Sequence, residues 1–300
     1  MPELPDVTVY VERLRALTAG RRIENVRLRS PFLVRSFEPP FETVKGRTVI
    51  GARRLGKRIV LELEGNLFVV IHLMIAGRFQ WKEPGTAIQG KLNLLAIDFE
   101  HGSLFMTEAG TKKRASLYLV RGEEALAEHH RGGLEPLGSS LADFERALRS
   151  ENHTLKRTLT DPRLFSGIGN AYSDEILHRA RLSPLKWTSR LDPDEVERLH
   201  AATRDVLREW IDRLATQTAG AFPTKVTAFR PEMAVHGRYR QPCPVCGAPV
   251  QRIVYAENEA NYCARCQTEG KVLADRSLSK LLKDDWPRTL EEWEAQRKQA

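Results

Sequence analysis

Four cysteines constrain this chain more than any other feature of it. They stand in two hooks, Cys243-Pro244-Val245-Cys246 and Cys263-Ala264-Arg265-Cys266, with sixteen residues between them. A tetrahedral zinc ion takes four thiolates, and each C-x2-C hook supplies two of them from one knuckle. Such a set leaves no coordination position open for chemistry, so the expected cofactor is one structural Zn2+. Residues 250–254 and 260–262 then read as the strands of a metal-stapled hairpin. Cysteines gathered in one short stretch suit metal and a reducing compartment better than disulfides.

The rest of the chain must fold by other means. Three hundred residues allow about two domains, and a 41% hydrophobic content is enough to bury a core. The net charge of +8 and the pI near 9.4 favour an anionic partner, nucleic acid first, although many cytosolic proteins are mildly basic. No run of about twenty apolar residues exists, so no membrane span is expected. The acidic start lacks a basic region followed by an apolar one, so no secretory signal is expected either. These features point to a cytoplasmic protein.

The amino terminus reads Met1-Pro2-Glu3. Trimming of Met1 exposes a secondary amine beside a carboxylic acid. An α-amine titrates near pH ~8, far below a lysine, so much of it is neutral and nucleophilic in the cell. Attack on a sugar carbon gives an iminium ion, and Glu3 is placed to shuttle the proton. A Met-Pro start alone is common and carries no such implication. A helix follows, with Val7, Tyr10, Val11, Leu14 and Leu17 at helical spacing and Gly20 as its stop. Its N-terminus disfavours a protonated amine nearby.

From residue 23 to about 120 the pattern is short strands (25–28, 48–53, 58–63, 67–72, 93–99 and 103–107 among them), which suggests a β-sandwich. Lys57 sits on a tight turn from which it can reach a phosphate, though exposed hairpin lysines are usually inert. Met74 and Ile75 follow a buried-looking strand and open a loop; apolar tips of this kind either wedge into a base stack or pack in the core. Lys112, Lys113 and Arg114 form either a phosphate track or a solvated strand end. Residues 132–140 read as a linker, and the chain is helical from 141. Ser166-Gly167-Ile168-Gly169-Asn170 joins two helices. Gly169 would let backbone N–H groups approach a phosphate, Asn170 would donate from its side chain, and Lys156 would add charge. A Gly-x-Gly turn by itself is a weak signal. The long helix after Asp192 buries Val196, Leu199, Val206, Trp210 and Leu214. Beyond Gln267 runs a tail with seven basic and seven acidic residues. Its Thr289-Leu290-Glu291-Glu292 is a capping box, and Leu278, Leu281, Leu282 and Trp286 are placed to dock on the body.

The order of these pieces resembles the formamidopyrimidine-DNA glycosylase / endonuclease VIII family over roughly residues 1–267. The resemblance rests on Met-Pro-Glu-Leu-Pro at 1–5, Leu-Glu-Pro-Leu at 134–137, Gly-Ile-Gly-Asn-Ala-Tyr at 167–172 and the finger ending Cys266-Gln267. It implies an α+β multidomain protein. Residues 1–131 would form a catalytic β-sandwich with a leading helix, 141–234 a helix–two-turns–helix domain, 235–267 a zinc-finger β-hairpin, and 268–300 an extension without counterpart. It implies a monomer that holds double-stranded DNA with a damaged base or abasic site between its domains, in a bacterial cytoplasm. Pro2 would attack C1′ of the flipped nucleotide, Glu3 would serve as acid and base, and β- and δ-elimination would follow. Lys57, Lys156 and Asn170 match phosphate-gripping positions.

Several positions depart from that pattern. Asp6 stands where the family usually shows Glu, and Ile75 where the purine-lesion branch has a wedge methionine, with Met74 adjacent. Lys113-Arg114-Ala115 lacks that branch's aromatic. Asn258 replaces the finger arginine, with Arg252 or Arg265 as substitutes. The stretch 218–235 is shorter than the branch's lesion-covering loop. A non-cleaving binder of damaged DNA is the alternative to the glycosylase/lyase, and an RNA-binding helical domain is a weaker third. The intact Pro2-Glu3 pair favours the enzyme. The expected lesions are abasic sites, oxidised pyrimidines and ring-opened bases, with 8-oxoguanine a poor substrate.

Overall fold

The structure, a computed structural model, describes residues 1–110, 112–223, 230–255, 258–274 and 286–299. It divides into two compact units. One comprises Met1–Arg131 with Glu209–Thr227, the other Gly132–Arg208 with Ala228–Ala300.

Helix α1 (Leu4–Thr18) opens the first unit. Val7, Tyr10, Val11 and Leu14 are buried at the expected helical spacing, and Gly20 follows with φ +73°. The start is fixed by a reciprocal cap. The Asp6 carboxylate accepts from the Glu3 N–H at 3.1 Å, and the Glu3 side chain accepts from the Asp6 N–H. Asp6 therefore performs the capping role that a glutamate has at this position of the box.

Eight strands follow. They are β1 (Asn25–Leu28), β2 (Val49–Leu55), β3 (Arg58–Leu63), β4 (Leu67–His72), β5 (Gly77–Lys82), β6 (Asn93–Phe99), β7 (Gly102–Glu108) and β8 (Ser116–Arg121). They form two antiparallel sheets of order β1-β6-β7-β5 and β2-β3-β4-β8. The first five residues of β4 are buried, as a central strand should be. The inner faces share one core, to which α1 contributes Tyr10 and Leu14, β3 Ile59 and Leu61, β5 Phe79, and β8 Leu117 and Leu119. Each such side chain contributes roughly 1.5–3 kcal/mol on full burial. A short helix α2 (Glu123–Ala127) closes this part.

The second unit carries α3 (Leu141–Arg149), α4 (Leu155–Thr160), α5 (Asn170–Ala180) and α6 (Pro193–Thr218). Asp192 and Glu195 cap α6 reciprocally, at 2.8 and 3.1 Å. The five apolar residues expected on its inner face are all buried. Helix α6 starts in the second unit and ends in the first, and the chain beyond it sends Phe222 into the sandwich core. There the Phe222 ring meets Tyr10 and Phe79, each at 5.9 Å, and the Tyr10 hydroxyl donates to the Pro223 carbonyl at 2.7 Å.

The hairpin consists of β9 (Val250–Tyr255) and β10 (Asn258–Cys263), closed by α7 (Ala264–Thr268). The tail returns as α8 (Leu290–Gln299). The Glu292 N–H bonds the Thr289 hydroxyl at 3.2 Å, and the Thr289 N–H bonds the Glu292 carboxylate at 3.4 Å, which completes the expected capping box. Leu290 is buried against the hairpin core, with Trp293 packed beside it. Leu278, Leu281 and Leu282 lie outside the described residues.

Candidate functional site

Two groups of residues carry chemistry, one in each unit. The first surrounds the amino terminus. Met1 is present, so the Pro2 nitrogen is an amide here. Pro2 and Glu3 are buried, Glu3 being 4% exposed. Burial holds the Met1 amine below the ordinary value of an α-amine. The Glu3 and Asp6 carboxylates oppose that shift, and Arg78 and Lys57 reinforce it. Lys57 thus lies within electrostatic reach of the terminus. It occupies the two-residue turn between β2 and β3, where Gly56 takes φ +61°, a conformation that glycine adopts without strain. His72, at the end of β4, is held down to about 4, first by burial and then by Arg58, Lys57 and the amino terminus. Neither Arg78 nor His72 was expected from the sequence, because only the folded sandwich brings β4 and β5, which belong to different sheets, to the amino terminus.

The loop after β4 presents Ile75, 54% exposed, while Leu73 is buried and Met74 takes φ +52°. Arg78 Nη1 donates to the Ile75 and Gly77 carbonyls at 3.2 and 2.5 Å and so ties that loop to β5. Lys112, Lys113 and Arg114 are exposed, but Ala115 is buried. The buried Glu108 carboxylate accepts from the Arg114 and Ala115 N–H groups at 2.9 and 3.2 Å, which fixes the end of this loop.

In the second unit, Gly167 (φ +81°) and Gly169 lead into α5, with Gly169 as its N-cap. Lys156 donates to the Asn170 carbonyl at 2.7 Å and to Asp174 at 2.5 Å. The Asn170 amide donates to the Glu259 carbonyl of β10 at 2.8 Å. An ammonium has three protons and a primary amide two, so each of these bonds leaves donor capacity for a phosphate. The Asp174 carboxylate, fully buried, also meets His236 Nδ1 at 2.8 Å. Glu175 accepts three backbone N–H bonds from residues 234–236, at 2.7 to 2.9 Å. Asp174, Glu175 and His236 carry no local sequence signature; only the packing of α5 against the hairpin segment reveals them. Arg252, exposed on β9, lies over the Tyr239 ring at 4.4 Å and pairs with Glu259 at 3.5 Å. The side chain of Asn258 and residues 224–229 of the expected short loop lie outside the described residues.

The four cysteine sulfurs lie within 4.8 Å of one another. Cys246 and Cys263 are 3.4 Å apart and Cys243 and Cys266 3.9 Å. A zinc ion with bonds of about 2.3 Å spaces tetrahedral sulfurs by about 3.8 Å, so the set fits one ion. The hook backbone is prepared for it, with the Gly247 N–H on the Cys243 carbonyl at 2.9 Å and Gly247 at φ +74°. Burial pushes the Cys263 thiol up, and Cys266 up to about 11, whereas at Cys246 burial is outweighed by hydrogen bonds from the Ala248 backbone and the neighbouring thiols, which hold it below the ordinary thiol value. Gln267 accepts from the Cys263 N–H at 2.8 Å and donates to the Leu182 carbonyl at 2.9 Å, which anchors the second hook to the segment after α5.

Three family models match the chain. The formamidopyrimidine-DNA glycosylase N-terminal domain matches residues 1–112, the H2TH domain of that glycosylase 133–220, and the zinc finger found in FPG and IleRS 240–268. The chain belongs to the formamidopyrimidine-DNA glycosylase family. Its relatives include the formamidopyrimidine-DNA glycosylases of Thermus thermophilus, 34% identical over 279 residues, and Heliobacterium modesticaldum, 33% over 281. These alignments cover 90% and 89% of this chain and 100% of each relative. Among solved structures, the Lactococcus lactis enzyme with abasic-site DNA aligns at TM-score 0.79 and 26% identity, over 89% of this chain and 99% of that one. The same enzyme with Fapy-dG-containing DNA aligns at 0.79 and 25%, over 89% and 100%. The zinc-finger match identifies the four-thiolate cluster as a structural zinc site. The last of the three models ends at residue 268, so the docked tail lies beyond them. Among the described residues, no helix is long and apolar enough to cross a membrane.

Proposed function

We propose that the protein acts on damaged double-stranded DNA from its own amino terminus. It is a DNA glycosylase of base excision repair with abasic-site lyase activity. The observation that carries the reading is the buried terminus, where Pro2 and Glu3 are shielded from solvent in the field of Lys57 and Arg78.

Removal of Met1 turns the Pro2 nitrogen into a secondary amine. It attacks C1′ of the target nucleotide, the glycosidic bond breaks, and the base departs with a proton from Glu3. The Pro2 nitrogen gives up its proton, the C1′–O4′ bond opens with a proton delivered to O4′, and the resulting iminium, which has no N–H to lose, acidifies C2′–H. Loss of that proton expels the 3′ phosphate, and a second elimination expels the 5′ phosphate. Lys57, Lys156, Gly169 and Asn170 grip phosphates, Lys112, Lys113 and Arg114 track the backbone, and Arg252 stands in for the finger arginine. Ile75, with Met74 beside it, fills the gap left by the flipped nucleotide. Ala115 is too small and too buried to help, so lesions that already stack badly are preferred over 8-oxoguanine. Residues 1–131 supply the chemistry, 141–234 and 235–267 the DNA grip, and the setting is the bacterial cytoplasm.

Borohydride should trap the native protein on abasic-site DNA, and an uncleaved N-terminal tag should abolish the trap. Equal trapping by tagged and native protein would remove Pro2 as the nucleophile. Glu3→Gln should slow base release by on the order of 10²- to 10⁴-fold while sparing much of the cleavage at preformed abasic sites. Faster release of 8-oxoguanine than of a saturated thymine in single turnover would overturn the lesion preference.

A further inference from the structure

Asn170, Asp174 and His178 recur every four residues along α5 and so share one face of that helix. Each makes a polar contact with the zinc-finger segment. Asn170 donates to the Glu259 carbonyl at 2.8 Å, Asp174 meets His236 at 2.8 Å, and His178 Nε2 lies 3.3 Å from Cys243 Sγ. His178 is 6% exposed and Cys243 2%, so neither atom has water to replace the contact. Eight residues of helix span about 12 Å, which is all that separates the metal-facing end of this stripe from its phosphate-gripping end.

We infer that His178 is an outer-shell residue of the zinc site, donating its Nε2–H to the Cys243 thiolate. Four thiolates on Zn2+ leave a net charge of −2 inside the finger. An N–H donor aimed at one sulfur disperses that charge and fixes the orientation of the Cys243 side chain. The same bond ties the metal directly to α5. The inference rests on the four-thiolate zinc site and adds to it a fifth side chain, from another element, that holds a ligand without binding the ion.

Release of zinc to an excess of a chromophoric chelator tests this without reference to activity. His178→Leu should release zinc on the order of 10- to 100-fold faster than the native protein. His178→Gln, whose amide nitrogen occupies nearly the place of Nε2, should restore much of the slow release. Equal release from His178→Leu and native protein would overturn the inference, as would equally fast release from the Leu and Gln variants. One measurement needs no variant. The imidazole nitrogen shifts of zinc-loaded native protein should show His178 protonated at Nε2, and an unprotonated Nε2 would overturn it. Native protein without one equivalent of zinc would overturn the metal site as well, whereas normal zinc content with unchanged release in His178→Leu overturns only the role of His178.

Discussion

In the sandwich, the rings of Tyr10, Phe79 and Phe222 meet at 5.8 to 5.9 Å inside a core fed by two four-stranded sheets. In the zinc finger, two strands and a one-turn helix surround four sulfurs, with a small cluster around Val250, Ile253 and Tyr262. A two-stranded hairpin is marginal at best in water. The sandwich gets its order from the area it buries, whereas the finger gets its order from a metal, from the polar stripe of α5 and from the returning tail. The difference matters because the two regions do different work. In the function proposed above, the sandwich holds an amine and a carboxylate rigidly, whereas the finger presents cations such as Arg252 at the end of a small lever.

Metal removal should separate the two regions most sharply. Structural zinc contributes on the order of 10 kcal/mol to small fingers. Chelation, or Cys263→Ser, should therefore erase hydrogen-exchange protection in β9 and β10 and leave that of β4 intact. Loss of protection in both regions together would break the comparison. The converse perturbation is Phe79→Ala, which removes the ring that meets both Tyr10 and Phe222 and should cost about 3–5 kcal/mol in urea unfolding. Its zinc content should stay at one equivalent. The smallest effect concerns pH. His72 is held down to about 4, against an ordinary value near 6.5, with burial as the main cause. The unfolded chain binds the proton first as pH falls, so the stability due to neutral His72 is complete above about pH 6.5 and drains away toward pH 4. The loss is at most about 3 kcal/mol. His72→Asn should flatten this part of the stability–pH curve, and an unchanged slope would show that other groups set it.

Much of this was legible in the chain because its cause is local. Two cysteine hooks announce their metal by spacing alone. The boxes at Asp192/Glu195 and Thr289/Glu292 announce helix starts through side chains three residues apart. Periodicity placed α1 and α6, and turn residues bounded most strands. The strands Gly77–Lys82 and Ser116–Arg121 completed the two sheets without having been singled out, since they follow loops rather than sharp turns.

What the tertiary structure alone decided involves partners far apart in the chain. Pro2 and Glu3 could be named once the Met-Pro-Glu start was read together with the motifs farther along the chain, but their neighbours Arg78 and His72 come from β5 and β4 and are brought there only by the folding of the sandwich. Phe222 leaves the helical region and re-enters the sandwich core. Along α5, Asn170, Asp174 and His178 find their partners 89, 62 and 65 residues away. The amino-acid sequence determines which groups can bond, through charge, donor count and local spacing. Which of them meet depends on which surfaces are driven together by burial, and that is a property of the whole chain.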